Sequence, residues 1–195
     1  MIAASDAVEE QIDRETEFGF WLYLMSDAVL FSLIFATFAV MSSNLAGGPS
    51  GAELFDLKNL AIQTALLLIS SLTIALAHHA AEGGNTTRAV VWLVTTCILG
   101  AGFLGLEIRE LSGFIAQGAG PGRSGYLSAF FTLVGTHGLH VAAGLIWALT
   151  LIVQLVLRGI DHRLLSRLAR LSLFWHFLDI VWIVVFSLVY LPEFL

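Results

Sequence analysis

The chain has 195 residues, of which 57% are hydrophobic and 12% are charged, and its mean hydropathy is +0.86. A soluble domain of this length needs more polar surface, so the composition excludes an ordinary soluble protein and indicates a membrane protein. The formal net charge of -6 argues against nucleic-acid binding, which depends on basic residues.

The first predicted element is an acidic segment at residues 1–17. Six acidic residues oppose Arg14 there, and the segment lacks the basic start and small-residue cleavage site of a secretory signal. We expect a solvated cytoplasmic tail, which leaves residues 18–195 for a transmembrane domain.

Five apolar runs follow, each of about 20 residues or more and therefore long enough to cross a bilayer. The runs are 18–41, 57–80, 89–111, 127–157 and 168–191. Backbone groups in lipid must form their hydrogen bonds within their own segment, so each run predicts a helix rather than an open strand. The predicted fold class is all-α: a polytopic membrane protein, built as a bundle of five transmembrane helices.

Basic residues divide unequally between the two faces of this predicted bundle. The face with the N-terminus and the second and fourth loops carries Arg14, Arg88, Arg158, Arg163, Arg167 and Arg170. The opposite face carries Lys58, Arg109 and Arg123. The positive-inside rule therefore predicts a cytoplasmic N-terminus and a C-terminus outside. The candidates for contact with lipid headgroups at the cytoplasmic end are His78, His79, Arg88 and Arg158.

Ionisable groups inside the spans are the candidates for function. A carboxylate at the centre of a membrane helix costs about 2.5–3.5 kcal/mol on insertion scales, so it must face protein or water. We expect one buried polar cluster at a common depth, made of Asp27, His137, His140, His176 and Asp179. Within it, His176 matches the depth of Asp27 best and is its expected partner, with His140 as the second choice.

Two interpretations of this cluster stay open. Its groups either hold the helices together, at about 0.6 kcal/mol per interhelical hydrogen bond, or they store and move protons. Ligation of haem iron or copper by His137, His140 and His176 is less favoured, because a spacing of three residues on one helix is common. Glu107 is a separate candidate, since it lies near the outer end of the third span, where we expect water to reach it.

Small and aromatic residues predict how the helices pack. The run GAGFLG, from Gly100 to Gly105, offers a small surface for close helix approach. Trp175 lies near a span end, as interfacial aromatic residues do, whereas Trp182 is deeper and should pack against protein.

Four strings of residues carry a family resemblance. The chain resembles subunit III of the haem-copper respiratory oxidases in SDAVLF of the first span, GLEIREL of the third, GYLSAFFTLVGTHGLHVAAGLIW of the fourth and LSLFWHFLDIVWIVVFSLVYL of the fifth. The resemblance covers residues 18–191, and it is strongest to the five-helix subunit III of bacterial cytochrome bo-type ubiquinol oxidases. In the seven-helix relatives, Glu normally occupies the position of Asp27.

The resemblance implies a non-catalytic supporting subunit of a proton-pumping terminal oxidase, which oxidises quinol and reduces dioxygen to water. It implies that the chain has no catalytic, cofactor-binding or metal-binding residue, that haem and copper lie in subunit I, and that phospholipid binds between its helices. Its implied partners are subunit I as the main contact, subunits II and IV, and membrane phospholipids, and its implied location is the bacterial inner membrane.

These expectations extend to the surface that contacts subunit I and to the alternative functions. We expect the first and third spans to face subunit I, partly through Ser26, Gly100 and Gly105. The alternatives to a quinol oxidase subunit are subunit III of a cytochrome c-type oxidase, a small bis-His haem b membrane protein, and a free-standing proton-coupled transporter.

Overall fold

The computed structural model describes the backbone of residues 2–194 and the side chains of residues 14–194. The described residues form five long helices: α1 (Ile2–Met41), α2 (Leu57–Glu82), α3 (Thr86–Ala116), α4 (Gly125–Arg158) and α5 (His162–Val185). The first loop contains a one-turn helix, Gly51–Leu54, and α5 is followed by a π-helical turn, Phe186–Tyr190, and a 3₁₀ turn, Leu191–Phe194. The predicted fold class is confirmed.

Each long helix includes a segment that is long and apolar enough to cross a membrane. These segments are Arg14–Met41, Leu57–Glu82, Thr86–Ala116, Gly125–Arg158 and His162–Phe194. All five predicted spans are present, and each is lengthened at one or both ends.

Helix α1 begins inside the predicted acidic tail, residues 1–17. Residues 14–17 are exposed on this helix. The side chains of residues 1–13 lie outside the described part of the chain, so the solvated tail stays a prediction.

Side-chain caps set the start of the four helices that follow a loop. The side chains of Asp56, Asn85, Ser124 and Asp161 accept hydrogen bonds from backbone N–H groups in the first turns of α2, α3, α4 and α5. Such a cap satisfies a donor that has no partner within the helix. The helices therefore begin directly after the capping residues, and in three of the four cases this start lies two or more residues ahead of the predicted apolar run.

The helices α2 to α5 form a closed ring. Helix α2 packs on α3, α3 on α4, α4 on α5, and α5 returns to α2, while α1 lies outside the ring against α4 and α5. Among residues 14–41, the described side chains of α1, the buried ones are Leu24, Asp27, Phe31 and Phe38. Their spacings of three, four and seven residues put them on one helix face, which is the face that attaches α1 to the ring.

Trp175 fills the interior of the ring. It is fully buried, and its indole N–H donates a hydrogen bond of 2.9 Å to the Ser70 hydroxyl of α2. The absence of side chains at Gly100 of α3 and Gly144 of α4 makes room for the indole, because an added Cβ would lie 2.9 Å and 3.1 Å from its ring atoms. The expectation that Trp175 lies at the membrane interface is therefore wrong, because α5 begins at His162 and carries Trp175 more than three turns into the bundle.

The run GAGFLG divides between two surfaces. Gly100 faces the interior against Trp175, so its expected contact with a partner subunit is wrong. Gly105 is exposed, with no atom within 4 Å of an added Cβ. The two glycines are five residues apart, or about 140° around the helix, which is why they face different neighbours. Ser26 is exposed as well.

Candidate functional site

Asp27 and His140 form the main polar contact between α1 and the ring. The Asp27 side chain is buried, and its Oδ2 atom lies 3.7 Å from Nε2 of His140 on α4. This distance suits an ion pair but is too long for a hydrogen bond. Asp27 Oδ2 has no hydrogen-bond partner among the described residues. The structure thus places His140, and not the expected His176, beside Asp27.

The second ring nitrogen of His140 contacts the backbone of its own helix. Nδ1 lies 2.8 Å from the backbone carbonyl of Thr136. A carbonyl can only accept a hydrogen bond, so Nδ1 carries a proton. Nε2 is therefore the ring nitrogen that faces the Asp27 carboxyl group at the joint between α1 and α4.

Two aromatic rings lie beside His140 of this pair. The His140 ring lies 5.1 Å from the ring of Phe31 on α1 and 6.5 Å from that of Phe174 on α5, measured between centroids. Apolar surroundings strengthen the interaction between opposite charges and raise the cost of leaving either one unpaired.

His176 belongs to a different group of polar side chains, between α2 and α5. Its Nδ1 lies 2.5 Å from the Ser71 hydroxyl of α2, and its Nε2 lies 3.4 Å from the Ser172 hydroxyl. Asp179, one turn further along α5, is buried, and neither of its carboxyl oxygens has a hydrogen-bond partner among the described residues. The depths of His176 and Asp27 expected from their positions along the helices are similar, but the two side chains face different neighbours.

His137 packs inside the ring as an aromatic side chain. Its Nε2 lies 3.3 Å from the backbone carbonyl of Leu178 on α5. Its ring centroid lies 5.1 Å from that of Trp182 and 5.6 Å from that of Phe103, which it meets edge-on. His137 and His140 thus point to different helices although they are three residues apart.

The predicted cluster is therefore divided into three groups. Asp27 pairs with His140, His176 lies with Ser71 and near Asp179, and His137 is in the aromatic core. The three histidines do not converge on one point. In the part of the chain with described side chains, no group of three or more His, Cys, Asp or Glu residues is placed to hold a metal ion.

Glu107 is buried, which contradicts the expectation that water reaches it. It is 2% exposed and lies against Gly138 of α4, where an added Cβ would come within 2.6 Å of its Oε1 atom. The missing side chain at Gly138 allows α3 and α4 to approach closely around the carboxyl group. Glu110, which sequence reasoning did not single out, is the partly exposed acid of this region.

Three of the headgroup candidates lie at the opposite end of α3, where it follows α2. His79 and Arg88 line a surface cavity of about 340 Å³ where α2 meets α3, together with Trp92. His78 and His79 lie 3.4 Å and 3.7 Å from the carboxylate of Glu82. Arg158 is exposed at the end of α4, apart from this cavity.

The fold and these buried groups define a class: a polytopic, all-helical membrane protein with acids and histidines enclosed between its helices. Comparison of sequences gives the family. The family model of cytochrome c oxidase subunit III matches residues 5–193, and the chain belongs to this family.

Named relatives agree with this assignment. The chain is 55% identical to the cytochrome bo(3) ubiquinol oxidase subunit 3 of Pseudomonas aeruginosa over 176 residues, which are 90% of this chain and 84% of the relative. It is 43% identical to the quinol oxidase subunit 3 of Bacillus spizizenii, covering 94% of this chain and 90% of the relative. It is also 43% identical to the cytochrome c oxidase subunit 3 of Bacillus sp. strain PS3, covering 89% of this chain and 84% of the relative. The resemblance seen in the sequence is confirmed.

A double-mutant cycle tests the pairing of Asp27 with His140. The variants Asp27→Asn and His140→Gln should each lower the free energy of unfolding of the chain in detergent, and their effects should be non-additive by about 0.6–1.7 kcal/mol, as for polar contacts between membrane helices. The matched control combines Asp27→Asn with His176→Gln, whose effects should add because the two side chains contact different groups. Additivity in the first cycle would show that the pair does not interact.

Proposed function

We propose that the chain is subunit III of a proton-pumping quinol oxidase of the haem-copper class. In this assignment it supports a complex that oxidises quinol and reduces dioxygen to water, and it takes no direct part in either reaction. The observation that carries the proposal is 55% identity, over 90% of the chain, to a protein named as a bo(3) ubiquinol oxidase subunit 3. A cytochrome c oxidase subunit 3 at 43% identity keeps the cytochrome c-type oxidase as the second candidate.

The proposed main partner is subunit I, with subunits II and IV as further members of the complex. Helices α1 and α3 both adjoin α4, so the exposed surface of α4 lies between them. A contact with subunit I through α1 and α3 would therefore be continuous across α4, and it would include Ser26 and Gly105. The exposed small residues allow the close approach on which helix association in membranes depends.

The redox cofactors, haem and copper, belong to subunit I in this proposal. The histidines of this chain support that division, because His137, His140 and His176 are directed to a backbone carbonyl, a carboxyl group and a serine hydroxyl on different helices. The Asp27–His140 pair acts first as an attachment of α1, since it lies on the face that joins α1 to the ring.

Purification in mild detergent tests the proposed function. The tagged chain should retain a large multi-helix subunit whose haem gives the visible absorption of the preparation, while the chain isolated alone should have no haem absorption. Asp27→Asn should leave the haem spectrum unchanged and reduce the amount of this chain retained. A haem spectrum in the isolated chain would support the bis-His haem protein instead, and purification without a partner would support a free-standing transporter.

The proposed orientation in the bacterial inner membrane has the N-terminus in the cytoplasm and the C-terminus in the periplasm. It is tested with single cysteines in a Cys97→Ser background. Ser43→Cys in the first loop should react with an impermeant reagent added to the periplasmic side, and Glu82→Cys at the end of α2 should react only from the cytoplasm. Both positions are exposed. Labelling of both positions from the same side would mean that α2 does not cross the membrane. That result would reject the predicted five crossings.

Phospholipid is the proposed ligand of two surface features. We assign the cavity where α2 meets α3, whose lining includes Arg88 and His79, to a lipid headgroup at the cytoplasmic face of the membrane. A second cavity, of about 280 Å³ between α1 and α5, has an apolar lining that includes Trp21, Leu24 and Phe177 and suits an acyl chain. In this proposal the first cavity takes a charged headgroup. The second cavity takes an acyl chain.

Removal of basic groups tests the lipid proposal. Arg88→Ala and Arg158→Ala should each reduce the phospholipid that is retained by the purified oxidase and shorten the time over which it sustains turnover. Lys58→Ala, at the opposite membrane face, is the control and should change neither quantity. Wild-type lipid content and lifetime in both arginine variants would contradict the proposed headgroup contacts.

A further inference from the structure

A charged residue continues the attachment face of α1 beyond its apolar part. The buried residues Leu24, Phe31 and Phe38 are seven residues apart, and Glu17 lies seven residues before Leu24. Seven residues are about two turns of an α-helix, so residues at this spacing share one face. Glu17 therefore lies on the continuation of the face by which α1 attaches to the ring.

A matching line of basic residues runs along α5. Phe177 of α5 contacts Phe31 of α1, with 6.3 Å between the ring centroids, so this face of α5 is turned toward α1. Arg170 lies seven residues before Phe177, and Arg163 lies seven residues before Arg170. The spacing puts both arginines on the face that is turned toward α1. We call Arg163 and Arg170 the arginine line.

Glu17 and the arginine line lie at the same level. Helices α1 and α5 run in the same direction, because Tyr23 contacts Phe174 and Phe31 contacts Phe177, with 6.3 Å between the ring centroids in each pair. The residue numbers in these pairs differ by 151 and 146. The same differences put Glu17 level with the stretch of α5 between the two members of the arginine line.

Arg170 has a donor without an acceptor. The residue is partly exposed, but its Nη1 atom is inaccessible and has no hydrogen-bond partner among the described residues. In residues 14–194, neither Arg170 nor the exposed Glu17 forms an ion pair within 4.0 Å. A buried donor that lacks an acceptor is costly, and more so when it carries charge. Arg170 therefore requires an acceptor, and a carboxylate is the strongest that a protein side chain offers.

Helix geometry directs Arg170 toward Glu17. Side chains of an α-helix tilt toward the N-terminus of that helix, so Arg170 is directed back along α5, toward the level of Glu17. The guanidinium group has five N–H donors in a planar fork, and one carboxylate accepts two of them at once. Glu17 is exposed, so its carboxylate can take the rotamer that is nearest to this fork.

The acidic segment repeats the interval of the arginine line. Helix α1 begins at Ile2, and Glu10 lies seven residues before Glu17. The Glu10 side chain lies outside the described part of the chain, and its place follows from the sequence spacing alone. Two acids on one helix and two arginines on its parallel neighbour thus have equal spacing, which is the pattern of ion pairs between helices in coiled coils.

We propose that the N-terminal part of α1 docks on the arginine line of α5, with Glu17 paired to Arg170 and Glu10 paired to Arg163. These ion pairs hold α1 to the ring beyond its apolar contacts. For this part of the acidic segment, docking replaces the expectation of a solvated tail. The α1 acids are favoured over a phospholipid phosphate as the occupant, because they belong to a helix that is already fixed beside α5.

Hydrogen exchange of the full chain in phosphatidylcholine nanodiscs tests the proposal. Glu17→Gln and Arg170→Gln should each speed amide exchange in residues 10–17 by roughly two- to fivefold, as loss of an ion pair at a protein surface implies. The double variant should show no further increase, and the exchanged pair, Glu17→Arg with Arg170→Glu, should restore the wild-type rate.

Glu15→Gln is the matched control. Glu15 is an acid of the same helix, but it lies two residues from Glu17 and thus about 200° around the helix. Its effect on exchange should therefore add to that of Arg170→Gln. Exchange in residues 128–150 of α4 should be the same in all variants, which shows that the bundle stays folded.

Salt and lipid composition complete the test. Sodium chloride at about 1 M should speed exchange in residues 10–17 more in the wild-type chain than in the double variant, because salt screens exposed charges. Additive effects of Glu17→Gln and Arg170→Gln would overturn the proposal. An effect of Arg170→Gln that requires phosphatidylglycerol in the nanodiscs and does not depend on Glu17 would overturn it in favour of a lipid headgroup.

Discussion

The indole of Trp175 on α5 contacts the other three helices of the ring, and the arrangement of the other elements depends on it. It is carried by α5, lies against Gly100 of α3 and Gly144 of α4, and donates its N–H to Ser70 of α2. Replacing either glycine would place a Cβ within about 3 Å of the ring system, closer than packed atoms normally approach. The ring can therefore close only because two helices lack side chains at the level of one large residue.

Polar contacts repeat at the successive helix interfaces around this apolar centre. Trp182 of α5 donates its N–H to Thr64 of α2, and Thr73 of α2 lies 2.8 Å from Thr96 of α3. Asp27 and His140 extend the same principle to α1, which lies outside the ring. Hydrogen bonds of this kind add modest energy in a membrane, where helices gain little from leaving lipid. They do specify which faces meet, because any other pairing would leave a polar group in hydrocarbon.

The sequence predicted the positions of residues along the helices much better than it predicted which neighbouring helix each side chain faces. Apolar runs located five helices, and four strings of residues identified the family. Depth along a helix placed Asp27, His140 and His176 at similar levels, but it contains no information about which neighbour each side chain faces. His176 was therefore assigned to Asp27 and was found beside Ser71. The direction depends on helix packing, which two glycines and an indole determine and which a single helix does not encode.

Glu107 illustrates a second kind of limit. Its position near a helix end suggested contact with water, and local sequence offers no reason for burial. The reason lies 31 residues away, at Gly138, where α4 presents no side chain. Capping residues such as Asn85 and Ser124 were visible in the sequence and would have lengthened the predicted spans, because hydropathy alone marks the apolar part of a helix and not its first turn.

The position of α1 outside the ring has a consequence for biosynthesis. Asp27 is translated 113 residues before His140, and at about 5–20 residues per second its partner follows about 6–23 s later. During that interval α1 has left the ribosome while the surface of α4 on which it docks does not yet exist. A carboxyl group at membrane depth must then be neutral, close to water, or held by another protein. The order of the helices in the chain thus brings α1 into the membrane before the surface on which it docks, and it gives the cell's insertion machinery a defined period in which to shelter Asp27.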